Sequence, residues 1–270
     1  MYYKILIFLF LTLGMNNAMQ AQVFEVGVEG GGAGYIGDLN QTNNFKISGV
    51  SAGGYVKANL DPYWAVGIHY TYGRIKADDL KSSNEQFRMR GLNFNNDLHE
   101  VSLQVDFNFL DYFSGGGTKN FSPYIFTGGG LLFFSPKGVY PDPITGKNEW
   151  YRLRFYKTEG QQSVYRNFAI TIPYGVGAKF RLKDNWGLIT QIGYRTAFTD
   201  LIDDVSGSYP VPNPDDIDPD DVKAVKAMLT RPTGVGIPKT QRGDFRKRDS
   251  YMFVGIGISF TFVSQKCYTF

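Results

Sequence analysis

The feature that most constrains this chain is an alternation of apolar and polar side chains that recurs in eight segments. In the last segment, every second side chain from Val254 to Phe262 is apolar, and those between them are glycine, serine or threonine. Successive side chains of a strand point to opposite faces, so this period of two predicts strands with one apolar and one polar face. The predicted strands are residues 23–34, 50–60, 64–74, 99–109, 124–134, 170–182, 186–198 and 250–262.

Residues 1–21 are predicted to be a secretory signal peptide. Lys4 precedes an apolar run over residues 5–15, and the small Ala21 offers a cleavage position, although Met19 is larger than is usual two places before it. The run is shorter than the roughly 20 residues of a spanning helix, which disfavours the alternative of a transmembrane anchor. No later apolar run reaches that length. The mature chain is therefore expected to be exported, either as a soluble β-protein or as a β-barrel.

Composition excludes several classes of function. A net charge of +3 argues against a dedicated nucleic-acid-binding protein. The single cysteine, Cys267, excludes an internal disulfide framework and a cysteine-based zinc site, and leaves an intermolecular disulfide or an idle thiol as alternatives.

The connections between the predicted strands alternate between long and short. The long ones are residues 75–96, 135–167 and 199–249. The short ones are residues 61–63, 110–120 and 183–185. Outer-membrane barrels have short periplasmic turns and long extracellular loops, whereas a soluble β-sandwich has no reason to sort its loops by length.

We therefore predict an all-β fold, an eight-stranded antiparallel transmembrane up-and-down β-barrel of the outer membrane. The barrel covers residues 22–262, and residues 263–270 form a C-terminal tail on the periplasmic side. Aromatic side chains are expected to form belts at the two membrane interfaces. One belt comprises Tyr63, Trp64, Phe180 and Trp186, and the other comprises Tyr70, Tyr72, Tyr194, Phe198 and Tyr251.

The polar faces of the strands carry charges of both signs. An eight-stranded barrel is only wide enough for its own side chains, so these charges are expected to pair as a plug and not to line a conducting pore. The predicted inward charges are Glu25, Glu29, Lys57, Glu100, Asp106, Lys179, Arg181 and Arg195.

No motif predicts catalysis, a cofactor or a metal. The glycines of residues 32–37 match a dinucleotide fingerprint, but no helix follows them. His69 is predicted to face inward and His99 to face lipid, so they do not suggest a catalytic set.

Two charged stretches allow alternative interpretations. The acidic residues 215–221 suggest either a Ca²⁺ site or, preferably, a helix start, with Asp218 as the cap and Pro219 in the first helical position. The basic residues 242–249 suggest contact with lipopolysaccharide phosphates or an acidic partner, or else a solvated loop.

Three stretches carry a resemblance to a known family. They are residues 29–39, residues 194–206, which contain Thr-Asp-x-x-Asp-Asp-Val-Ser, and residues 241–253. Together they resemble PorG, the small outer-membrane barrel of the type IX secretion system, which also supports gliding motility in some bacteria. The pattern Gly257-x-x-Phe260-x-Phe262 also resembles the C-terminal assembly signal of outer-membrane barrels.

The resemblance implies a non-enzymatic subunit that associates with a periplasmic ring built from the lipoprotein PorK and its partner PorN. On the predicted topology, the ring would meet the short turns and the tail. The expected partner-binding residues are Asp61, Pro62, Tyr63, Lys183, Asp184, Asn185, Lys266 and Cys267.

The acidic residues of the fourth loop, residues 199–249, are expected to structure that loop, where the modest loop at residues 35–45 counts as the first. Asp200, Asp203 and Asp204 would then pair with Arg242, Arg246 or Arg248 over the barrel mouth. The alternative function is a small barrel similar to OmpA or OmpW that binds lipid or small hydrophobic molecules, and outer-membrane lipid and lipopolysaccharide are expected contacts in either case.

Overall fold

The chain forms one closed β-barrel with an elaborated cap at one end. The computed structural model describes residues 23–41, 43–114, 118–213 and 217–262. Its strands are β1 (Val23–Ile36), β2 (Ile47–Asn59), β3 (Trp64–Asp78), β4 (Asn93–Asn108), β5 (Phe121–Phe133), β6 (Lys137–Pro141), β7 (Asn148–Arg152), β8 (Phe168–Lys183), β9 (Trp186–Ala197) and β10 (Ser250–Phe262). The helices are α1 (Glu85–Arg90) and α2 (Asp220–Thr230), with 3₁₀ turns at Asp79–Lys81 and Leu153–Tyr156.

Eight of these strands close the barrel, as predicted. They pair antiparallel in the order β3-β2-β1-β10-β9-β8-β5-β4, and β4 pairs back onto β3. The first and last strands form the seam, from Phe24 opposite Phe262 to Ile36 opposite Ser250. This pairing removes both free edges of the sheet.

The outer wall of the barrel is apolar. Val28, Ile68 and Leu103 are each more than half exposed, at 60%, 63% and 55%. Outward and inward side chains alternate along each strand, as expected from the period of two. A contiguous apolar wall on a closed barrel is the surface that a lipid bilayer covers.

The aromatic prediction was wrong at one position. Trp64 and Trp186 lie exposed at one end of the wall, each in ring contact with a phenylalanine of the paired strand. Tyr251 is fully buried, because it shares the inward parity of Phe253, and its hydroxyl donates to Glu100 inside the barrel.

One end of the barrel, the turn end, carries the short connections, the start of β1 at Val23 and the end of β10 at Phe262. The opposite end, the loop end, carries the long connections, and here the predicted loop boundaries need correction. Strands β3 and β4 remain paired out to Asp78 and Asn93, so residues 75–78 and 93–96 of the predicted loop 75–96 are strand. Strand β4 has 16 residues, more than the about 9–11 that cross a bilayer.

The predicted loop 135–167 also contains regular structure. Strands β6 and β7 form a hairpin that joins the sheet through one pairing, Asn95 with Lys137. The sequence pattern missed this hairpin because its strands are too short to show an alternation.

The main hydrophobic core lies at the loop end and not in the middle of the barrel. Its members are buried apolar residues from projecting strand ends and from the loops, among them Ile75, Phe94, Leu132, Ile202 and Leu229. A second and much smaller cluster, Tyr55, Tyr124, Phe126 and Ile189, lies further inside. We call the loop-end assembly the cap, which comprises residues 37–41, 43–46, 79–92, 134–167, 198–213 and 217–249.

Helix α2 confirms the helical interpretation of the acidic stretch, with a shift at its start. Pro219 has an extended ψ of 153° and occupies the N-cap, so Asp220 is the first helical residue and no side chain caps the helix. Val225 and Leu229 anchor its inner face in the core. Asp215 and Asp216 lie outside the described residues. Among the helices of the described ranges, none is long and apolar enough to cross a membrane.

Candidate functional site

The barrel lumen contains a buried three-residue ion network. Asp106 accepts hydrogen bonds from Lys57 at 2.6 Å and from Lys179 at 3.0 Å, and all three side chains are at most 2% exposed. The two ammonium groups also lie over the rings of Tyr55 and Tyr124, at 4.2 and 4.6 Å. Because these residues come from β2, β4 and β8, the network spans the lumen.

A second ion pair lies toward the loop end. The Arg195 guanidinium is 3.5 Å from Glu100, donates to the carbonyl of Gly193 at 2.7 Å and stacks over Phe253 at 4.6 Å. Tyr251 completes the surroundings of Glu100 through its hydroxyl. Charges of both signs therefore meet inside the barrel, as the inward set predicted, although Glu29 and Arg181 are only partly buried.

The turn end of the lumen is also filled. Tyr112, Phe113 and Ser114 are buried although they belong to a connecting turn. The hydroxyls of Tyr112 and Ser114 lie against the inward face of Gly187 on β9. No pattern in the sequence predicted that this turn folds inward.

In the cap, Arg90 joins three segments of the chain. Its guanidinium forms two hydrogen bonds with Asp79, at 2.6 and 2.9 Å, and is largely buried. It also donates to the carbonyl oxygens of Arg242 at 2.6 Å and Asp38 at 3.0 Å. A bidentate guanidinium–carboxylate pair fixes orientation as well as charge, so this contact sets the geometry of the cap.

The predicted pairing of the fourth-loop carboxylates with arginines is wrong in detail. Arg242 is buried, but its carboxylate partner is Glu159 at 2.9 Å, and it meets Asp204 only through the backbone carbonyl. The Asp204 carboxylate accepts instead from Thr158 at 2.6 Å and Tyr165 at 2.7 Å. Arg242 reaches Glu159 because residues 157–160 fold over the fourth loop. The sequence pattern does not reveal this fold.

Three other carboxylates form the acidic cluster: Asp38 after β1, Asp203 after β9 and Asp249 before β10. Their ligand oxygens lie within 4.8 Å of one another, and all three residues are at most 1% exposed. Within the described residues, they form the only such group of acidic, histidine or cysteine side chains. Each of the three stretches that carry the family resemblance supplies one of these aspartates.

Each carboxylate of the cluster accepts at least one hydrogen bond. Asp203 accepts from the Tyr35 hydroxyl and from the amide of Val205 at 2.9 Å. Asp249 accepts from the amide of Ile202 at 3.0 Å. Asp38 accepts through Oδ1 from the amide of Asp244 at 2.5 Å, while its Oδ2 is buried without a hydrogen-bond partner.

The cluster is electrostatically unfavourable for three anions. Burial and the neighbouring Asp203 raise the pKa of Asp38 to about 9. Burial raises the pKa of Asp203 to about 7, and burial with the two neighbouring aspartates raises the pKa of Asp249 well above its usual range. Burial likewise raises the pKa of the half-buried Asp200 to about 8, and its Oδ1 has no hydrogen-bond partner.

The turn end presents the residues predicted to contact a partner. Asp61 accepts from the amides of Tyr63 and Trp64, each at 2.7 Å, so its carboxylate shapes the turn while the Tyr63 ring stays 43% exposed. Lys183 and Asp184 are exposed, and Asp184 has a left-handed φ of 51°. Pro62 is buried and Asn185 is half-buried, and their carbonyls accept from Asn108 and Thr261, both at 2.9 Å.

A pocket of about 450 Å³ lies beside the turn at residues 183–185. It is lined by Ser114, Asn120, Arg181, Leu182, Lys183, Asp184 and Asn185. The predicted contacts Lys266 and Cys267, and part of the turn at residues 115–117, lie outside the described residues.

The two histidines are on opposite faces of the wall, as predicted. His69 is buried in the lumen and stacks on Tyr55 at 5.0 Å. His99 is exposed on the outer wall and contacts the Tyr70 hydroxyl at 2.9 Å through Nδ1. They therefore do not converge on a shared site.

A closed antiparallel barrel of eight strands, with an apolar outer wall and a lumen of paired charges, defines a β-barrel of the transmembrane type. Within that class, the chain belongs to the family described as "Domain of unknown function (DUF6089)", whose model matches residues 3–217. The chain matches no curated protein.

Several solved structures of bacterial surface proteins are similar to this chain. Neisserial surface protein A shares 12% identity over 88% of this chain and 97% of its own, with a TM-score of 0.40. A major outer membrane protein of Thermus thermophilus shares 16% sequence identity over 90% of this chain and 100% of its own, with a TM-score of 0.46. OprG of Pseudomonas aeruginosa shares 13% sequence identity over 88% of this chain and 97% of its own, with a TM-score of 0.43. These sequence identities and TM-scores are low, so the fold assignment rests on the strand pairing of this chain.

Proposed function

We propose that this protein is a non-enzymatic, integral outer-membrane subunit of the type IX protein secretion machinery, including the form that supports gliding motility. In this role it presents its turn end to a periplasmic ring of PorK- and PorN-type proteins. The observation that carries the proposal is the filled lumen. A barrel whose interior is occupied by buried ion pairs and an inward-folded turn is suited to anchoring and binding rather than to conducting.

The distribution of surfaces supports this orientation. The short turns are at one end and the cap is at the other, which matches the periplasmic and extracellular sides of outer-membrane barrels. The exposed Tyr63 ring and the charged Lys183 and Asp184 are then available on the periplasmic side. Aromatic side chains are enriched at protein-binding surfaces, and polar side chains form the rims of such surfaces.

Lipopolysaccharide is a second proposed contact, on the opposite side. Arg246, Lys247 and Arg248 are exposed in the cap, whereas Arg242 is buried and unavailable. The Arg248 guanidinium lies 4.2 Å over the ring of Phe198, which is exposed at the end of the apolar wall. Cations next to an interfacial aromatic are suited to the phosphates of outer-leaflet lipid.

Site-specific photocrosslinking in the native host tests the partner assignment. A photoreactive phenylalanine at Tyr63 or Lys183 is expected to form adducts with the periplasmic ring proteins. The matched control is Ile144, which is 73% exposed at the tip of the β6–β7 hairpin in the cap. Because Ile144 is at the opposite end of the barrel, it is expected to give no ring adduct.

Ring adducts from Ile144 and none from the turn end would reverse the proposed orientation. An absence of ring adducts from every position would exclude the secretion role and favour the alternative of a small barrel that binds lipid or hydrophobic molecules. The paired charges of the lumen disfavour that alternative for a ligand held inside the barrel.

A further inference from the structure

Within the described part of the chain, no lysine or arginine forms a direct ion pair with the acidic cluster of the cap, although the charge of Arg90 acts on Asp203 and Asp38 from beyond ion-pair distance. Among the ion pairs of those residues, none includes Asp38, Asp203 or Asp249. The nearby Arg90 directs its hydrogen bonds to Asp79 and to two backbone carbonyls. In the lumen, by contrast, Asp106 and Glu100 each have a direct lysine or arginine partner.

A second, independent observation points to a ligand at this place. Oδ2 of Asp38 has no hydrogen-bond partner, although the residue is only 1% exposed. A buried carboxylate oxygen without a partner loses its hydration and gains nothing in return, and such atoms in native proteins commonly mark a bound ion or water. This oxygen belongs to one of the three convergent side chains.

The geometry fits one hard divalent cation. Calcium binds oxygen ligands at about 2.3–2.6 Å, so two oxygens on opposite sides of one ion are about 5 Å apart. The ligand oxygens of the cluster lie within 4.8 Å of one another and can therefore bind one ion without moving apart.

We propose that Asp38, Asp203 and Asp249 bind a single calcium-like divalent cation inside the cap. The site offers carboxylate oxygens only, with no nitrogen or sulfur ligand among the described residues, which selects hard cations over zinc or copper. Asp200, which has a buried oxygen without a partner, is the candidate for a further ligand. The proposal does not depend on the secretion role, because it concerns only the cap.

The cation would act as a crosslink in the cap. Its three ligands come from the segments after β1, after β9 and before β10, which are far apart in the sequence and adjacent in the barrel. The same segments contact one another through the amides of Asp244 and Ile202, which donate to Asp38 and Asp249. Binding one ion would therefore hold the longest loop over the mouth of the barrel.

Calorimetric titration of the purified full-length protein in detergent, after removal of metals with a chelator, tests this site with CaCl₂ alone. One saturable site per chain is expected, together with a rise in the unfolding temperature that is reversed by the chelator. A parallel titration with Tb³⁺ should give tyrosine-sensitised emission that calcium quenches, since the Tyr35 hydroxyl is bonded to Asp203.

The decisive variant is Asp38→Asn, because its amide oxygen can still accept from the amide of Asp244 while the charge is removed. This variant is expected to lower the calcium affinity by at least about tenfold, since affinity follows the number of charged ligands. Glu149→Gln is the matched control, because Glu149 is an exposed acid of the cap outside the cluster. It should titrate like the original protein.

Two results would overturn the proposal. One is the absence of saturable calcium binding and of Tb³⁺ emission in the unmodified protein. The other is an unchanged affinity in folded Asp38→Asn, with folding checked by the heat-dependent migration of the barrel in gels. If Asp38→Asn does not fold, Asp249→Asn replaces it, and the titrations of the unmodified protein still decide.

Discussion

The lumen and the cap both bury carboxylates, but they neutralise them in opposite ways. In the lumen, Asp106 lies between Lys57 and Lys179, all of them on strands of one barrel. In the cap, Asp38, Asp203 and Asp249 face one another, and no lysine or arginine of the described residues pairs with them. The Asp106 carboxylate of the lumen is neutralised by lysines of the same chain. The three carboxylates of the cap require protons or a cation from solution to neutralise them.

This difference follows from where each region lies. The lumen is surrounded by lipid, so a charge there must find its partner within the chain during folding. The cap lies beyond the apolar wall and contains the main hydrophobic core, so it packs like a small soluble domain in contact with water and ions. Substitutions that remove one carboxylate are therefore expected to act differently in the two regions.

The largest effect is expected from Asp106→Asn in the lumen. The substitution leaves two fully buried ammonium groups without an anion, and breaking such a network is expected to lower the free energy of unfolding by about 3–5 kcal/mol. Urea-induced unfolding of the protein in lipid vesicles, followed by tryptophan fluorescence, measures it. The triple variant Lys57→Met, Asp106→Leu, Lys179→Met should recover most of the loss, and a triple variant as unstable as the single one would contradict the role of charge pairing.

A smaller effect is expected from Tyr35→Phe, which removes the hydroxyl that donates to Asp203 in the cap. Leaving a buried carboxylate oxygen without this donor is expected to lower the free energy of unfolding by about 1–3 kcal/mol. Tyr151→Phe is the control, because its hydroxyl donates to Asp142 at 3.0 Å near the exposed tip of the β6–β7 hairpin. Equal losses in the two variants would show that burial of the acceptor does not matter.

Asp38→Asn provides the direct contrast with Asp106→Asn. In chelator, removing one of three clustered like charges is expected to leave the free energy of unfolding unchanged or to raise it by about 1 kcal/mol. With calcium present, the same variant should be the less stable protein, because it binds the ion more weakly. Chemical unfolding of both proteins in the two buffers measures this reversal, and a large loss in chelator would contradict the comparison.

The smallest effect is expected from Arg74→Gln on the outer surface near the loop end. Arg74 pairs with Asp97 at 2.7 Å, but the two side chains are 49% and 32% exposed. Exposed pairs contribute little, so the free energy of unfolding should fall by less than about 1 kcal/mol, and less still at high salt. A loss as large as that of Asp106→Asn would show that burial does not set the strength of ion pairs in this protein.

Much of the barrel could be predicted from the sequence, because strand parity is a local property. The alternation placed Lys57, Glu100 and Asp106 inside and Val28 and Ile68 outside without any knowledge of strand order. Parity failed at Met252, which has the outward parity of Val254 but is buried together with Tyr251 and Phe253 as the strand enters the cap. It also missed the β6–β7 hairpin and the inward fold of Tyr112, since neither forms a repeating pattern.

The sequence by itself determined the number of barrel strands, their facing, the sorted loops and the stretches that carry the family resemblance. Only the tertiary structure decided what those stretches build, because most of the barrel strands separate Asp38 from Asp203 and Asp249 along the chain. Closure of β1 against β10 brings their segments together, so the acidic cluster exists only once the seam has formed. The partners of Arg90 and Arg242 likewise come from loops folded over the mouth, and side-chain alternation contains no information about such contacts.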